Sequence, residues 1–252
     1  MPHTPAPRSL VIVPTYDEAE NVHEIVGRVL DVVPAAHVLV VDDGSPDGTG
    51  DIVAAMAAED DRVHLLRRAG KLGLGTAYVA GFRWGLERQF DLLIEMDADG
   101  SHPADRLPAM IEAVAGADPA ADVLLAIGSR WVPGGSVVDW PKHRELLSRG
   151  GNAYARVMLG LDVHDITAGF RVYRAEAIAR MDLDSVDSKG YCFQVDMTLR
   201  VHDLGGTIVE VPIQFRDRVR GVSKMSQAIV VEAMLRTTQW GLQRRFGRRR
   251  SS

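Results

Sequence analysis

Asp97 and Asp99 stand one residue apart in the segment Glu-Met-Asp-Ala-Asp-Gly-Ser-His-Pro (95–103), directly after the apolar residues Leu92, Leu93 and Ile94. If the apolar run is a strand, both acids lie at its carboxyl end and point to one face, because side chains alternate with period two. Two converging carboxylates make a hard-oxygen site suited to Mg²⁺ or Mn²⁺, with coordination positions left over for the phosphates of a nucleotide. Asp-x-Asp by itself is equally the composition of a solvated loop, so its meaning depends on what accompanies it.

Three further polar segments accompany it, each placed directly after an apolar run. They are Pro-Thr-Tyr-Asp-Glu (14–18), Asp-Asp-Gly-Ser (42–45) and Gly-Ser-Arg (128–130). The elements that must position them follow from periodicity. Strands are predicted at 10–13, 37–41, 63–66, 90–96 and 123–127, and helices at 21–33, 52–58, 76–88 and 107–115. The first helix carries Val22, Ile25, Val26, Val29 and Val33 on one face. Alternation of this kind implies an α/β fold, a mostly parallel central sheet with helices on both faces. All four polar segments then fall at carboxyl ends of strands, the edge where open parallel sheets bind ligands. Beyond Arg130 the pattern loosens into a Gly/Pro/Trp loop at 131–141, a helix at 146–159, a strand at 207–211 and a polar loop at 216–226. An amphipathic helix at 228–242 comes last, and no linker separates domains. The expected organisation is one catalytic domain over 1–226, then a C-terminal helix and polybasic tail over 227–252.

Some patterns exclude as much as they imply. The segment 40–49 is rich in turn formers, and Asp47 or Thr49 could cap the next helix, so Asp42 and Asp43 have a purely structural reading beside a ligand-binding one. The glycines at 70–75 lack the Gly-x-Gly-x-x-Gly spacing, with Tyr78 at the third glycine position, and no Walker sequence is present; they suit a tight turn into a helix. Asp97 to Ser101 also matches the Asp-x-Asp-Gly-Ser/Thr element of haloacid-dehalogenase-type phosphatases, whose first Asp is a nucleophile. That element belongs on a first strand with a later Gly-Asp-rich acidic motif, and neither condition is met.

The chain has 252 residues, 46% of them hydrophobic and 25% charged, which is ordinary for a globular α/β protein. Cys192 is the only cysteine, so no internal disulfide forms; a buried place in a reducing cytosol suits it. No apolar run approaches the roughly 20 residues that span a bilayer. Residues 1–8 are proline-rich without the apolar core of a secretory signal. The expectation is a soluble chain or one that touches a membrane surface. Net charge is −5, but six of the 29 basic residues are arginines within 236–252, where no acid occurs; the rest holds 23 basic against 34 acidic residues. An acidic body with a basic tail is a poor duplex reader, so no nucleic-acid partner is expected, whereas an anionic membrane surface fits the tail.

The ordered motifs together resemble the family 2 glycosyltransferases of GT-A fold, in particular the polyprenol-phosphate (dolichol-phosphate) mannose synthases. The resemblance covers residues 9 to about 226. Besides the segments above it rests on Gly-Leu-Gly-Thr-Ala-Tyr (73–78), Thr-Ala-Gly-Phe-Arg-Val-Tyr (167–173), Gly-Tyr-Cys-Phe-Gln (190–194) and Arg-Val-Arg-Gly-Val-Ser-Lys-Met (218–225). It implies that Pro14, Tyr16 and Glu18, with Asp42 or Asp43, hold the donor nucleoside, with Ala98, Lys189 and Arg218 also on the donor. Asp97 and Asp99 would bind the divalent cation, with Ser101 as a third ligand. Arg130, Arg144, Ser148 and Lys224 would meet the acceptor phosphate, and Asp99, Arg130 and Arg218 would be catalytic. Two positions depart from the family: Asp17 replaces the usual Asn, and Ser101 stands where Gln often ligates the metal, so a shorter serine would act through water.

The implied reaction is transfer of mannose from GDP-mannose to a polyprenyl phosphate, with inversion to the β-mannosyl phosphate. A phosphate monoester with a second pKa of about 6 is already an anion, so no general base is required; His102 is expected to shape the loop. The near alternative is a UDP-glucose or other UDP-sugar sibling, which frequently carries membrane-spanning extensions that this chain lacks. A non-catalytic nucleotide-sugar-binding subunit has no need of the paired acids. The loop 216–226, hinged at Gly221, is expected to close over the phosphates. Ile229, Val230, Ala233, Met234, Thr237 and Trp240 form a helical stripe followed by Arg244, Arg245, Arg248, Arg249 and Arg250. This reads as an interfacial anchor, peripheral on the cytoplasmic face of a membrane, compatible with an integral-membrane partner protein.

Overall fold

Eight elements alternate in the first half, close to where periodicity puts them. They are β1 (Ser9–Thr15), α1 (Val22–Val32), β2 (His37–Asp42), α2 (Thr49–Glu59), β3 (Val63–Arg67), α3 (Leu74–Glu87), β4 (Leu92–Glu95) and α4 (Leu107–Ala115). The structure, a computed structural model, describes residues 6–186, 191–217 and 227–247. The second half adds β5 (Val123–Ser129), β6 (Ser136–Val138), α5 (Lys142–Leu159), β7 (Arg171–Arg174), α6 (Ala175–Ala179), α7 (Tyr191–Asp203), β8 (Thr207–Pro212), β9 (Gln214–Arg216) and α8 (Gln227–Gly247).

The central sheet has the order β3-β2-β1-β4-β7-β5-β8, and β6 pairs with β9 in a small second sheet. Every described pairing is parallel except those of β7, which runs antiparallel between β4 and β5. Strand β1 shows why the sheet is covered twice. Leu10 and Ile12 face the layer of α3, α5, α6 and α7, while Val11 and Val13 face α1, α2 and α4. With both faces buried, the strand reads as a continuous apolar run. Helix α3 comes unusually near: a Cβ on Gly81 would lie 2.5 Å from Ile12, and one on Gly85 2.4 Å from Leu93. The missing side chains let the helix settle on the sheet and bring Tyr78 beneath the end of β4.

Several expectations change. β7 and α7 were not predicted, because their polar and apolar residues follow neither period over enough positions. The loop at 131–141 contains β6. Helix α5 starts at Lys142, not 146, because Pro141 has extended backbone angles and its carbonyl accepts the N–H groups of Arg144 and Glu145. Arg144 and Ser148 therefore do share a helix. Helix α8 packs against α5 and α7. Thr237 is buried and Trp240 packs on the core, so these two members of the supposed membrane stripe face inward; Met234 and, outside the stripe, Leu235 and Leu242 are exposed. Arg244 pairs with Asp203, and Arg245 donates to the Val157 carbonyl at 3.3 Å. The side chains of Ile229, Val230 and Ala233, and Arg248 to Arg250, lie outside the described residues. Cys192 is buried as expected. Among the described residues no helix is long and apolar enough to cross a membrane.

Candidate active site

The paired acids begin where β4 ends. Gly100, at φ +74°, turns the chain back, and the Ser101 N–H then donates to Asp99 Oδ1 at 3.0 Å. The Asp97 N–H donates to His102 Nδ1 at 3.0 Å, closing the loop on itself. From α3, the Tyr78 hydroxyl donates to Asp97 Oδ1 at 3.2 Å. Ser101 is buried, and its Oγ has no hydrogen-bond partner among the described residues. A buried hydroxyl without a partner beside two carboxylates fits a cation-binding site, since leaving it unpaired costs free energy. No group of three or more His, Cys, Asp or Glu residues able to hold a metal exists among the described residues. Asp97, Asp99 and Ser101 thus suit a hard cation that takes few protein ligands and fills its shell with phosphate oxygens and water.

Next to this loop, β1 and β2 end in a network of carboxylates. Asp42 accepts from the Ser45 N–H and from Thr15 Oγ1 at 3.2 Å. Asp43 pairs with Arg68 at 2.8 Å and accepts the Leu72 N–H at 3.3 Å. Burial pushes Asp43 up, against the pull of Arg68 and of the N–H groups of Leu72 and Gly73. Asp47 accepts from the Ala19 N–H and from Thr49, tying the segment after β1 to the start of α2. Both Asp42 and Asp43 therefore build the turn, as one of the two readings had it. Pro14, Tyr16 and Glu18 surround this network half-buried, and Lys71 Nζ lies 4.0 Å over the Tyr16 ring. Asp17 sits at φ 59°, a left-handed conformation that Asn and Asp both tolerate, which accounts physically for the departure at that position.

The far side of the site is cationic and aromatic. Arg130 at the end of β5 is buried and holds Asp165 with Nε at 2.7 Å and Nη2 at 2.6 Å. Its guanidinium lies 5.3, 5.4 and 5.5 Å from the rings of Trp131, Trp140 and Phe215. Two of its nitrogens are thus committed to Asp165, a partner that sequence reasoning had not foreseen. Arg144 stacks on Trp140 at 4.0 Å and pairs with Asp217 at 2.7 Å, with Ser148 one turn further along α5. Phe215 joins the two halves, since its ring also meets His102 edge-on at 5.8 Å. Lys189, Arg218 and Lys224, and the closure expected of the loop at 216–226, fall outside the described residues.

Comparison with known proteins places the chain in a family. Residues 10–182 match the family described as Glycosyl transferase family 2. The chain belongs to glycosyl transferase family 2. It is 56% identical over 239 residues to the undecaprenyl-phosphate mannosyltransferase of Micrococcus luteus, covering 95% of this chain and 96% of the relative. It is 54% identical over 248 residues to the polyprenol monophosphomannose synthase of Mycolicibacterium smegmatis, covering 98% of this chain and 91% of the relative. A mannosyltransferase from Pyrobaculum calidifontis, solved with GDP-Man and Mn²⁺, shares the fold at TM-score 0.58 and 17% identity, over 99% of this chain and 77% of that one. Family membership removes the phosphatase alternative.

Beneath the acid pair, the glycosyltransferase buries a second polar cluster that sequence reasoning missed. Arg171 is fully buried and donates to the carbonyls of Ala168, Gln194 and Ile166 and to the hydroxyls of Tyr173 and Thr198. It thereby holds the loop before β7 against α7. Gln194 Nε2 donates to Glu95 Oε2 at 2.8 Å. Burial raises Glu95 to about 7, with Arg171 opposing. A signal existed for Glu95, an acid inside an apolar run at period two from Asp97. Trp131, Trp140, Asp165 and Phe215 had none, because nothing local indicates that they meet.

Proposed function

We propose that this glycosyltransferase transfers mannose from GDP-mannose to a polyprenyl phosphate, inverting the anomeric carbon. The observation that carries the reading is the edge of the sheet itself: an acid pair with a buried serine hydroxyl that has no partner among the described residues on one side, and Arg144 beside Ser148 on the other. The mannosyl transfer to polyprenyl or undecaprenyl phosphate named for the two relatives supports it, as does the GDP-Man in the Pyrobaculum structure.

Asp97 and Asp99, with the Ser101 hydroxyl, would hold Mg²⁺ or Mn²⁺. That cation supplies charge neutralisation to the departing diphosphate. Pro14, Tyr16 and Glu18 bind the nucleoside against the turn that Asp42 and Asp43 build. Arg144 and Ser148 orient the acceptor phosphate, whose oxygen attacks the anomeric carbon while the bond from that carbon to GDP breaks. The acceptor already carries its charge, so no side chain has to remove a proton, and His102 uses its Nδ1 to accept the Asp97 N–H. The lipid acceptor brings the enzyme to an anionic membrane surface on the cytoplasmic side, with the arginines after residue 247 adding attraction to anionic headgroups.

The decisive assay supplies purified protein with membranes, Mg²⁺ or Mn²⁺, and labelled GDP-mannose or UDP-glucose, and extracts lipid-linked sugar. Label from GDP-mannose alone is expected; label from UDP-glucose alone overturns the donor. Flotation with anionic vesicles, reversed by salt, is expected, and flotation indifferent to salt and to anionic lipid overturns the surface reading.

A further inference from the structure

Asp99 accepts the N–H of Ser101 two residues on. Asp97 is set from outside its own loop. Tyr78 lies one turn into α3, fully buried, with its ring stacked on Phe193 at 5.9 Å, and its hydroxyl donates to Asp97 Oδ1. His102 is also buried, its ring stacked on Phe170 at 5.2 Å and met edge-on by Phe215.

The hydrogen-bond network assigns the tautomer of His102. Nδ1 accepts the Asp97 N–H, so its lone pair is occupied and the ring hydrogen sits on Nε2. That nitrogen lies 3.8 Å from Asp97 Oδ2, beyond direct hydrogen-bond range but within reach of a small adjustment of the carboxylate. Gly169 closes the same space: a Cβ there would lie 3.6 Å from His102 Cε1 and 3.9 Å from Asp97 Oδ2. Tyr78 therefore bonds one carboxylate oxygen, and His102 holds the Asp97 N–H with its Nε2 facing the other oxygen at 3.8 Å, both on rings packed against aromatic neighbours.

We infer that Tyr78 and His102 are positioning residues that hold Asp97 in a single orientation for the divalent cation. The inference rests on the cation reading given above. The physical reason is preorganisation. A carboxylate that must bind metal in a small, strict coordination sphere loses affinity if its rotamer wanders, and groups hydrogen-bonded behind a ligand are typically worth 10–100-fold in metal affinity.

The test measures Mn²⁺ affinity by electron paramagnetic resonance with GDP present, for wild type, Tyr78→Phe and His102→Asn. Phenylalanine keeps the ring and removes the donor. Asparagine keeps an acceptor for the Asp97 N–H and removes the Nε2 hydrogen. Each variant is expected to bind Mn²⁺ about tenfold more weakly while melting cooperatively in EDTA. In the metal-free wild type, ¹⁵N resonances of His102 are expected to show a bare Nδ1 and a protonated Nε2, a readout that needs no variant to fold. Unchanged Mn²⁺ affinity in both variants, or the opposite tautomer, overturns the inference. Wild-type protein that binds no Mn²⁺ overturns the cation reading itself and this inference with it.

Discussion

Where β1 and β2 end, Asp42 finds its partners 3 and 27 positions away, and Asp43 finds Arg68 25 positions away. Past the end of β5, Arg130 reaches 35 positions to Asp165 and Arg144 reaches 73 to Asp217. The chemistry differs as well. The first region is carboxylates hydrogen-bonded by hydroxyls, N–H groups and one buried arginine. The second region is arginines laid against Trp131, Trp140 and Phe215. The Arg68–Asp43 pair is 10% and 8% exposed, whereas Arg144–Asp217 is 20% and 34% exposed. A buried pair is part of the scaffold, since neither ion can return to water. A half-exposed pair can exchange one partner for an incoming phosphate.

That contrast can be broken most decisively at the acid pair between the two regions. Asp99→Asn is expected to lower transfer about 10³-fold, because an anionic cation ligand is lost where charge develops on the leaving group. The melting temperature should stay near that of wild type. Steady-state transfer assays check this, and an active variant, or activity in excess EDTA, would place the chemistry elsewhere.

The two arginine pairs separate next, by stability. Arg68→Ala leaves Asp43 buried without its partner and should cost about 3 kcal/mol in urea unfolding. Arg144→Ala should cost under about 1 kcal/mol, as half-exposed pairs do. Equal costs would erase the distinction between scaffold and exchangeable pair.

The floor beneath both regions carries a pH signature. Glu95 is raised to about 7 in the fold from an ordinary 4.5, so the native state binds its proton more tightly than the unfolded chain does. Its contribution is present below about 4.5 and is lost as pH rises through 7. Unfolding in EDTA should therefore show stability falling by on the order of 2 kcal/mol between pH 5 and pH 8 from this group. Glu95→Gln should flatten that fall, and an identical slope in the variant would mean the carboxyl is ionised throughout.

The smallest effect tests the exchangeable pair. Arg144→Ala is expected to raise KM for the polyprenyl phosphate about tenfold with the GDP-mannose KM unchanged, and Arg144→Lys to recover only part, for lack of a planar fork. A change in the donor KM instead would move Arg144 to the other end of the site.

What the sequence by itself determined is what short-range patterns encode. Period-two and period-3.6 apolar spacing placed β1 to β5 and α1 to α4, and the segments at 14–18, 42–45, 97–101 and 128–130 fell on one edge because parallel strands all end on the same side. Tyr78 entered that reading as a missing glycine, although its hydroxyl reaches Asp97. Only the tertiary structure decided the rest. Strand β7 inserts antiparallel between β4 and β5, which brings Asp165 to Arg130 and Gly169 to the acid loop. Trp240 looked like a membrane residue from its helical spacing and turned inward because α8 found α5 and α7. A residue's periodicity says which neighbours share its face, but which element covers that face depends on where chain segments far apart in sequence come to rest.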